Sequence, residues 1–302
     1  MRGNHQCLPA NVLSVELHHS FKTMNNKRLQ HSPKDADFAQ WLLGVGHGRN
    51  IDNEGKMDIP KSMVTFDEEE LINKIYEGIE QIKLTPPPLD YFLDHAILTP
   101  RNIDVRDTNE KILQKMPSRE ITYQSADTLE DEGKGVPSDI PQEFLQTLES
   151  SSLPLLELRM KPGCPLILLR NLDPGKGLCN GTRMILIQTY RRILEVIIIG
   201  GDHHGEKAFI PRIILKPSSN QYPFTLKCRQ FPVRLSFTMT INKSKGQSLK
   251  FVGIHLMSPV FCHGQLYVAL SRATSCEKVL ILLPESTDTK TTNVIYPEVL
   301  LD

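Results

Sequence analysis

The chain has 302 residues, enough for one large domain or two of medium size. Its hydrophobic content of 39% and charged content of 23% are typical of a folded domain. The formal net charge of +0 excludes a global electrostatic attraction to nucleic acid, so any such binding must use a local patch.

The first ninety residues contain two predicted helices followed by a break. Residues 35–48 have apolar side chains at helical spacing and end on glycines. Residues 66–79 place a second apolar stripe at helical spacing, with acidic residues in the first turn, where the helix dipole favours them. The prolines at 86–88 then indicate a linker.

Two strand–helix–strand patterns follow, at residues 95–126 and 251–284. In the first, HAILTP and REITYQSA indicate strands on either side of a helix, which predicts a parallel pair with a right-handed crossover. In the second, FVGIHLM and EKVLILLP flank the helix GQLYVALSRA. Strands that are apolar almost throughout are typical of sheets buried on both faces, so the two patterns together predict one doubly wound α/β sheet.

Between these patterns, from about Cys164 to Arg234, short β-rich runs are separated by Gly, Pro, Asn and Asp turns. No helical period appears there. Several short strands at this spacing are typical of a small antiparallel barrel. The sequence therefore predicts an α/β domain that is interrupted by a β-barrel insertion.

Charge is distributed unevenly along the chain. Residues 52–80 contain nine acids against three lysines, whereas residues 205–250 contain nine lysines and arginines against one acid, Glu206. A solvated face is the usual cause of a charge run. The cationic excess in the second segment nevertheless favours a site for a polyanion.

The six cysteines form no C-x-x-C pair, and no His/Cys group has zinc-ligand spacing, so we expect no metal site. Nothing indicates disulfides, which favours a reducing compartment. The N-terminus has no apolar segment of a secretory signal, and no apolar run approaches the roughly 18 residues of a membrane span. We therefore expect no membrane association.

Two polar stretches are candidates for chemistry. FTMTINKSKGQSL, residues 237–249, runs from a strand into a loop with hydroxyls, amides, cations and no acid, the groups that phosphate oxygens need. An ordinary polar loop would normally carry some acid. HGQLYVALSRATS, residues 263–275, is a helix that ends on Ser271-Arg272. This arginine is either a C-terminal cation that interacts with the helix dipole or a group directed at a phosphate.

MTINKSKGQSL followed by HGQLYVALSRATS resembles motifs V and VI of superfamily 1 DNA helicases of the Pif (petite integration frequency) type, in particular the version carried by Helitron transposons. LRNLDPGKGLCNGTR and HAILTPRNIDVRDTNEKIL resemble other signatures of that family's second motor domain. The resemblance covers most of the chain. It implies a RecA-like parallel sheet over residues 91–302, interrupted at about 168–234 by an SH3-like antiparallel β-barrel. Residues 1–90 would be the end of the first motor domain and a linker.

The resemblance implies four residues near the nucleotide. Arg272 matches the motif VI arginine, which reaches the γ-phosphate of ATP as an arginine finger; such a finger contributes ~10³–10⁵ in rate. Arg28, in NKRLQ, matches a second γ-phosphate sensor at the end of the first motor domain. Gly246 and Gln247 match the motif V loop beside the nucleotide and DNA. In the intact family the cofactors are ATP and Mg²⁺.

The resemblance also implies contacts with single-stranded DNA. Thr240 and Lys243 match positions that touch the DNA backbone, and Thr99 ends a strand similar to motif IV. Lys245 is assigned to the same interface, although this family usually has Gln there and other superfamily 1 helicases carry Lys. Nuclear residence follows from the resemblance alone, because the sequence has no compact Lys/Arg import cluster.

The departures from the family concern ATP hydrolysis, which needs G-x-x-x-x-G-K-[ST] and a strand-end acid for Mg²⁺. Gly-Lys occurs at 55–56, 133–134 and 175–176, but none is followed by Ser or Thr or preceded by glycine at the required spacing. Asp67-Glu68 is similar to an acidic box, yet it opens an amphipathic pattern, so a helix N-terminus is the favoured interpretation. We therefore expect the C-terminal half of a helicase without Walker A and B motifs.

Three functional alternatives remain open at this point. The first is part of an ATP-dependent 5′→3′ DNA helicase in repair, recombination, telomere maintenance or transposition, inactive alone unless a partner chain or upstream segment supplies the first motor domain. The second is a non-catalytic module that binds single-stranded DNA. The third is a decayed product without function.

Overall fold

The computed structural model describes residues 33–49, 51–81, 88–130, 153–217, 225–285 and 289–296. They form two compact units. The first consists of the described residues of Met1–Glu77, Asp94–Thr108 and Thr238–Asp302, and the second of those of Gly78–Leu93 and Asn109–Phe237. The second unit is thus inserted twice into the sequence of the first.

Helices and strands alternate in the first unit, whereas strands dominate the second. The helices in the described residues are α1 (Pro33–Gly46), α2 (Glu68–Ile75), α3 (Leu89–Asp94), α4 (Asn102–Lys115) and α5 (Gln265–Leu270). The strands are β1 (Lys56–Asp58), β2 (Val64–Thr65), β3 (His95–Thr99), β4 (Ile121–Gln124), β5 (Ala126–Glu130), β6 (Glu157–Met160), β7 (Pro165–Leu168), β8 (Arg183–Thr189), β9 (Ile193–Ile199), β10 (Lys207–Pro211), β11 (Ile213–Leu215), β12 (Thr225–Gln230), β13 (Val233–Leu235), β14 (Thr238–Thr240), β15 (Phe251–His255), β16 (Val279–Leu282) and β17 (Lys290–Thr292).

Five parallel strands form the main sheet of the first unit, in the order β14-β3-β15-β16-β2. Strands β3, β15 and β16 are buried along almost their whole length, which explains their nearly continuous apolar sequences. The strand–helix–strand unit predicted for residues 251–284 is confirmed. Strands β15 and β16 pair in parallel, and α5 lies between them in sequence. The predicted parallel α/β sheet is therefore present.

The prediction of a parallel strand pair over residues 95–126 is wrong for the second strand. Strand β4 pairs antiparallel with β6 in a two-stranded sheet, instead of parallel with β3. Its residues alternate between half-buried and exposed, as in a strand with one solvated face. The partner of β4 lies more than thirty residues downstream, at Glu157–Met160, outside the local pattern from which the crossover was predicted.

The start of helix α2 confirms the helix interpretation of Asp67-Glu68. Asp67 is the N-cap, and its Oδ1 accepts a hydrogen bond from the N–H of Glu69 at 2.8 Å. Strand β2, just before it, pairs with β16. Residues 64–75, which the expected division at residue 90 placed before the second motor domain, therefore belong to the unit that holds the parallel sheet.

Helix α2 approaches the middle of the sheet closely at Gly253 of β15. A Cβ atom on Gly253 would lie 2.9 Å from Cγ1 of Ile97 and 3.0 Å from Cγ1 of Ile75. Ile97 and Ile75 are both buried, with 0% and 2% of their surface exposed. The absence of a side chain at Gly253 thus allows the helix to pack directly on β15 and β3.

The second unit contains two antiparallel sheets, ordered β10-β9-β8-β7-β13 and β11-β12-β5. One residue separates β10 from β11, and two separate β12 from β13. Strand β10 pairs with β9, β11 with β12 and β13 with β7, and the chain itself connects the two sheets between β10 and β11 and between β12 and β13. The predicted run of short antiparallel strands between Cys164 and Arg234 is confirmed.

The described cysteines are all free thiols. Burial raises the pKa of Cys164 and of Cys228 to about 12, and Asp127 adds to the effect at Cys228. Both thiols are therefore protonated at neutral pH and act as small apolar groups. In the segments that the structure describes, no helix combines the length and apolar character of a bilayer span.

We predict that Gly253→Ala destabilises the first unit by about 1–3 kcal/mol, because the new methyl group overpacks the contact between α2 and the sheet. Chemical denaturation followed by circular dichroism measures the change. Gly44→Ala is the matched control, because a Cβ there meets only Cβ of Arg49 at 3.9 Å within helix α1. That control should stabilise by about 0.5–1 kcal/mol, and equal effects of the two substitutions would contradict the packing argument.

Candidate functional site

Two threonines end neighbouring strands at the carboxyl edge of the parallel sheet. Thr240, the last residue of β14, is paired with Thr99, the last residue of β3. Thr99 is fully buried, and its hydroxyl donates to Oδ2 of Asp104 at 3.3 Å, whereas Thr240 is half-buried. The carboxyl edge is where ligands bind in open α/β sheets. The fold thus brings together two residues assigned to DNA from sequence.

The loop after β14 begins with a short 3₁₀ turn and contains two lysines and a glycine. The N–H of Gln247 donates to the carbonyl of Ser244 at 3.1 Å. Gly246 has a φ of 76°, a left-handed conformation that suits glycine, and no atom lies within 4 Å of a Cβ built on it. Lys243 is exposed and Lys245 is half-buried. The loop that the sequence predicted as a candidate phosphate site is therefore an ordered turn at the surface.

The guanidinium of Arg272 fastens this loop to the end of helix α5. Only 7% of the residue is exposed. Its Nη1 donates to the carbonyl of Gln247 at 3.1 Å and to that of Ser244 at 3.4 Å. Its Nε donates to the carbonyl of Val268 at 3.0 Å, and Nη2 donates to Oγ of Ser271 at 2.9 Å. One side chain therefore joins two segments that the sequence resemblance assigns to different motifs.

The main chain makes a second connection beside the first. The N–H of Leu249 donates to the carbonyl of Arg272 at 3.0 Å, and Leu249 forms a parallel bridge with Ala273. The bond from Arg272 to Val268 also supplies a donor to a carbonyl at the helix C-terminus. The interpretation of Arg272 as a C-terminal cation is thus seen directly, while its contact with a phosphate stays a prediction.

Sequence analysis did not identify every residue in this arrangement. Ser271 was named as the residue before Arg272, but its role as an acceptor for the guanidinium was not predicted. The contribution of Ser244 comes from its carbonyl, for which the side chain gives no signal. At the same sheet edge, Nε2 of His255 lies 3.6 Å from Oε1 of Glu68, a pairing between residues far apart in sequence.

Helix α5 begins next to a buried histidine that is held in its neutral form. His263 is 3% exposed, its Nδ1 accepts from the N–H of Tyr296 at 3.0 Å, and the two rings stack with centroids 5.5 Å apart. Burial lowers the pKa of His263. Oε1 of Gln265 accepts from the N–H of Phe261 at 3.0 Å. These bonds fix the start of the helix that carries Arg272 at its end.

Of the residues assigned to the nucleotide, Arg272, Gly246 and Gln247 lie together, while Arg28 lies outside the described residues. Their roles stay predictions. Within the described ranges, no group of three or more His, Cys, Asp or Glu side chains is arranged to hold a metal ion.

Comparison with known proteins supports the resemblance found in the motifs. The family model described as "DNA helicase Pif1, 2B domain" matches residues 143–189. The ATP-dependent DNA helicase PIF1 of Rattus norvegicus is 31% identical over 182 residues, which are 59% of this chain and 26% of that protein. The chain thus spans about a quarter of the length of that curated relative.

Two solved structures share the fold. The crystal structure of Pif1 helicase from Candida albicans matches with a TM-score of 0.55 and 18% identity, over 88% of this chain and 56% of that chain. That of Pif1 helicase from Bacteroides in complex with ADP-AlF3 and ssDNA matches with a TM-score of 0.53 and 23% identity, over 90% and 53%. The parallel sheet therefore belongs to the RecA-like class found in helicase motor domains. The resemblance of this chain to Pif1-type DNA helicases is confirmed, over part of the length of those proteins.

We predict that Arg272→Ala destabilises the first unit by about 1.5–3 kcal/mol, because it removes charge-assisted hydrogen bonds and leaves the carbonyl of Gln247 without this donor. Urea denaturation measures the change. Arg191→Ala, at an exposed hairpin tip of the second unit, is the control and should stay within about 0.5 kcal/mol of the native chain. Equal stabilities of the two variants would show that the Arg272 bonds do not form.

We predict that His263 makes stability fall as the pH falls below about 6.5, the ordinary histidine value. Its pKa is lowered by burial, so the unfolded chain binds the proton more readily than the folded chain. The stabilisation is complete above the unfolded pKa and is lost as the pH falls toward the folded pKa. Melting temperatures at about pH 7.5 and 5.5 test this, and His263→Gln should show a smaller difference between them. An unchanged difference would assign the pH dependence to other groups.

Proposed function

We propose that this chain carries the second motor domain of an ATP-dependent 5′→3′ DNA helicase. The observation that supports this most strongly is the bonding of Arg272 to the loop that contains Gln247, because it brings the two helicase-like motifs into contact. The RecA-like sheet and the similarity to Pif1 helicases agree with it. In a complete enzyme, ATP would bind between two such domains.

The residues present do not form a complete nucleotide site. Arg272 is the cation proposed for the γ-phosphate, but its guanidinium is bonded to protein oxygens on both sides. The sequence lacks the glycine-rich phosphate loop, and the described residues contain no cluster of metal ligands for Mg²⁺. Gly246 and Gln247 would line only one wall of the cleft, and Arg28 would come from the other. We therefore propose no hydrolytic step by this chain alone.

Single-stranded DNA is the proposed ligand of the carboxyl edge. Thr99 and Thr240 end adjacent strands there, and Lys243 and Lys245 lie in the following loop. The Bacteroides Pif1 helicase, of similar fold, is described in complex with ssDNA. Cations that contact phosphates give affinity without sequence preference.

The inserted strands are proposed to form the SH3-like barrel expected at about 168–234. The short antiparallel strands from β7 to β13, in two sheets that the chain connects twice, support this, as does the match of residues 143–189 to the Pif1 2B domain. A nuclear location and a role in repair, recombination, telomere maintenance or transposition are also proposals, which rest on the family resemblance.

A non-catalytic module that binds single-stranded DNA is the second candidate. The excess of nine cations over one acid in residues 205–250 favours it, because a cationic surface binds DNA without any ATP chemistry. A motor domain and a binding module both predict DNA binding. They differ in whether a first motor domain restores ATP hydrolysis.

We predict that the purified chain hydrolyses no ATP with or without DNA, because the phosphate loop is missing. A phosphate-release assay measures this. Addition of a first motor domain from a Pif1-type helicase should give DNA-stimulated turnover that Arg272→Ala abolishes, if the chain is a motor domain. Turnover by the chain alone that depends on Arg272 would contradict the account, and binding without any restored turnover would favour the second candidate.

We predict that the chain binds single-stranded DNA with an affinity that falls with salt. Replacing Lys243 and Lys245 together by Ala should reduce the log–log salt slope by about 1.4, since each phosphate contact contributes about 0.7. Fluorescence anisotropy with a labelled oligonucleotide measures the slope. The control replaces Lys61 and Lys74, which lie in the acidic segment and should not change it. A slope that both double variants change equally would place the DNA elsewhere.

A further inference from the structure

Two exposed aromatic side chains lie on the outer side of the five-stranded sheet in the second unit. Phe209 of β10 is 59% exposed, and Tyr190, directly after β8, is 46% exposed. Ile193, at the start of β9, is 42% exposed, and Pro211, at the end of β10, is also exposed. We call these four residues the aromatic face. Exposed apolar groups gathered on one face mark interaction sites more often than single exposed residues do.

The strand register places all four side chains on the same side of the sheet. Ile193 pairs with Pro211, and its carbonyl accepts from the N–H of Tyr190 at 2.9 Å, so these three residues form one row across neighbouring strands. Phe209 lies two residues before Pro211 on the same side of β10, since Ile210 between them is buried. The spacing of strands and residues in a sheet separates the Cα atoms of Tyr190 and Phe209 by about 12 Å.

The charge beside the aromatic face is positive. Arg191 and Arg192 form the exposed turn between β8 and β9, and within the described ranges neither of them forms an ion pair. Glu195, which lies opposite Phe209, is neutralised by Lys207, whose Nζ lies 3.0 Å from its Oε1. A phosphate that approaches the turn would therefore meet two guanidinium groups that no carboxylate occupies.

We propose that the aromatic face binds single-stranded nucleic acid, with bases stacked on Tyr190 and Phe209 and phosphates bound by Arg191 and Arg192. Exposed aromatic side chains on the open face of an antiparallel sheet are a recurring platform for unpaired bases, and cations beside them bind the backbone. Among the residues that the structure describes, neither ring packs on another aromatic ring or lies under a cation, so both can accept a base. The proposal rests neither on the motor function nor on the DNA contacts proposed at the carboxyl edge.

The spacing of the two rings favours a single strand over a duplex. Successive nucleotides of a duplex strand are stacked about 3.4 Å apart, and their bases offer no free face to a side chain. Rings about 12 Å apart on a sheet surface require bases that are unstacked from each other. An acidic protein segment would satisfy the arginines, but the combination of two unoccupied rings with two unpaired guanidinium groups matches a ligand that has both planar bases and phosphates.

The test measures the affinity of the whole chain for a fluorescent oligo-dT by anisotropy. Phe209→Ala and Tyr190→Ala should each weaken binding about tenfold, which is within the range for the loss of one base–aromatic stack, and should leave the log–log salt slope unchanged. Tyr190→Phe keeps the ring and should bind as the native chain does. Arg191→Ala together with Arg192→Ala should reduce the salt slope by about 1.4, since each phosphate contact contributes about 0.7.

Two controls locate the effect on the aromatic face. Ile214→Ala removes an apolar side chain that is also 59% exposed but lies in the other large sheet of the second unit, and it should leave the affinity unchanged. The loss caused by Phe209→Ala should also appear in a chain that already carries Lys243→Ala and Lys245→Ala, because those lysines lie in the first unit. Since Phe209 is more than half exposed, its variant should keep the native melting temperature, which circular dichroism verifies.

Three outcomes overturn the proposal. One is native affinity for oligo-dT in both Phe209→Ala and Tyr190→Ala. Another is the loss of all oligo-dT binding when only Lys243 and Lys245 are replaced, which would assign the whole affinity to the carboxyl edge. The last is tighter binding of a polyglutamate peptide than of oligo-dT, with an affinity that Phe209→Ala reduces. If instead the lysine variants change nothing while the aromatic variants weaken binding, the DNA contacts proposed for the first unit fail and the aromatic face stands.

Discussion

The candidate site depends on the hydrogen bonds of one buried arginine. The guanidinium of Arg272 bonds the carbonyls of Val268 and Gln247, which belong to a helix and to the loop after β14. Beside this side chain, the main chain connects the two segments at Leu249. A cation that is 7% exposed needs such acceptors, because burying it unpaired would be costly. The shape of the loop and the position of the charge are therefore set by the same contacts.

This arrangement changes how the arginine relates to a phosphate. The guanidinium is bonded to the carbonyls of Val268, Ser244 and Gln247, so a rotation that turned its Nη1 toward a ligand would break bonds that hold the loop. A contact with a phosphate at Arg272 would thus be linked to the conformation of the loop that carries Lys243 and Lys245.

The sequence predicted those parts of the fold that have local signals. Apolar runs located β3, β15 and β16, and helical spacing located α1 and α2. The helix N-terminus at Asp67-Glu68 was predicted from its place before an amphipathic run, and the structure identifies Asp67 as its N-cap. The partner of β4 could not be predicted, because it lies beyond a long intervening segment. Pairings between distant strands depend on tertiary packing, for which local pattern gives little information.

The candidate site, like the fold, was predicted only where its residues lie in local sequence motifs. The resemblance assigned Gln247 and Arg272 separately to the nucleotide, and in the structure Nη1 of Arg272 lies 3.1 Å from the carbonyl oxygen of Gln247. The bond to the carbonyl of Ser244 and the pairing of His255 with Glu68 had no sequence signal, because a main-chain acceptor and a distant partner leave no local pattern.

Native-state hydrogen exchange tests the central claim most directly. The N–H groups of Gln247 and Leu249 are bonded to Ser244 and to Arg272 itself, so their protection reports the state of the loop. In Arg272→Lys, which keeps the charge but cannot reproduce the guanidinium bonds, both amides should exchange much faster while those of β3 and β15 keep their protection. Unchanged protection at Gln247 and Leu249 would show that the loop does not depend on Arg272 and would contradict the account.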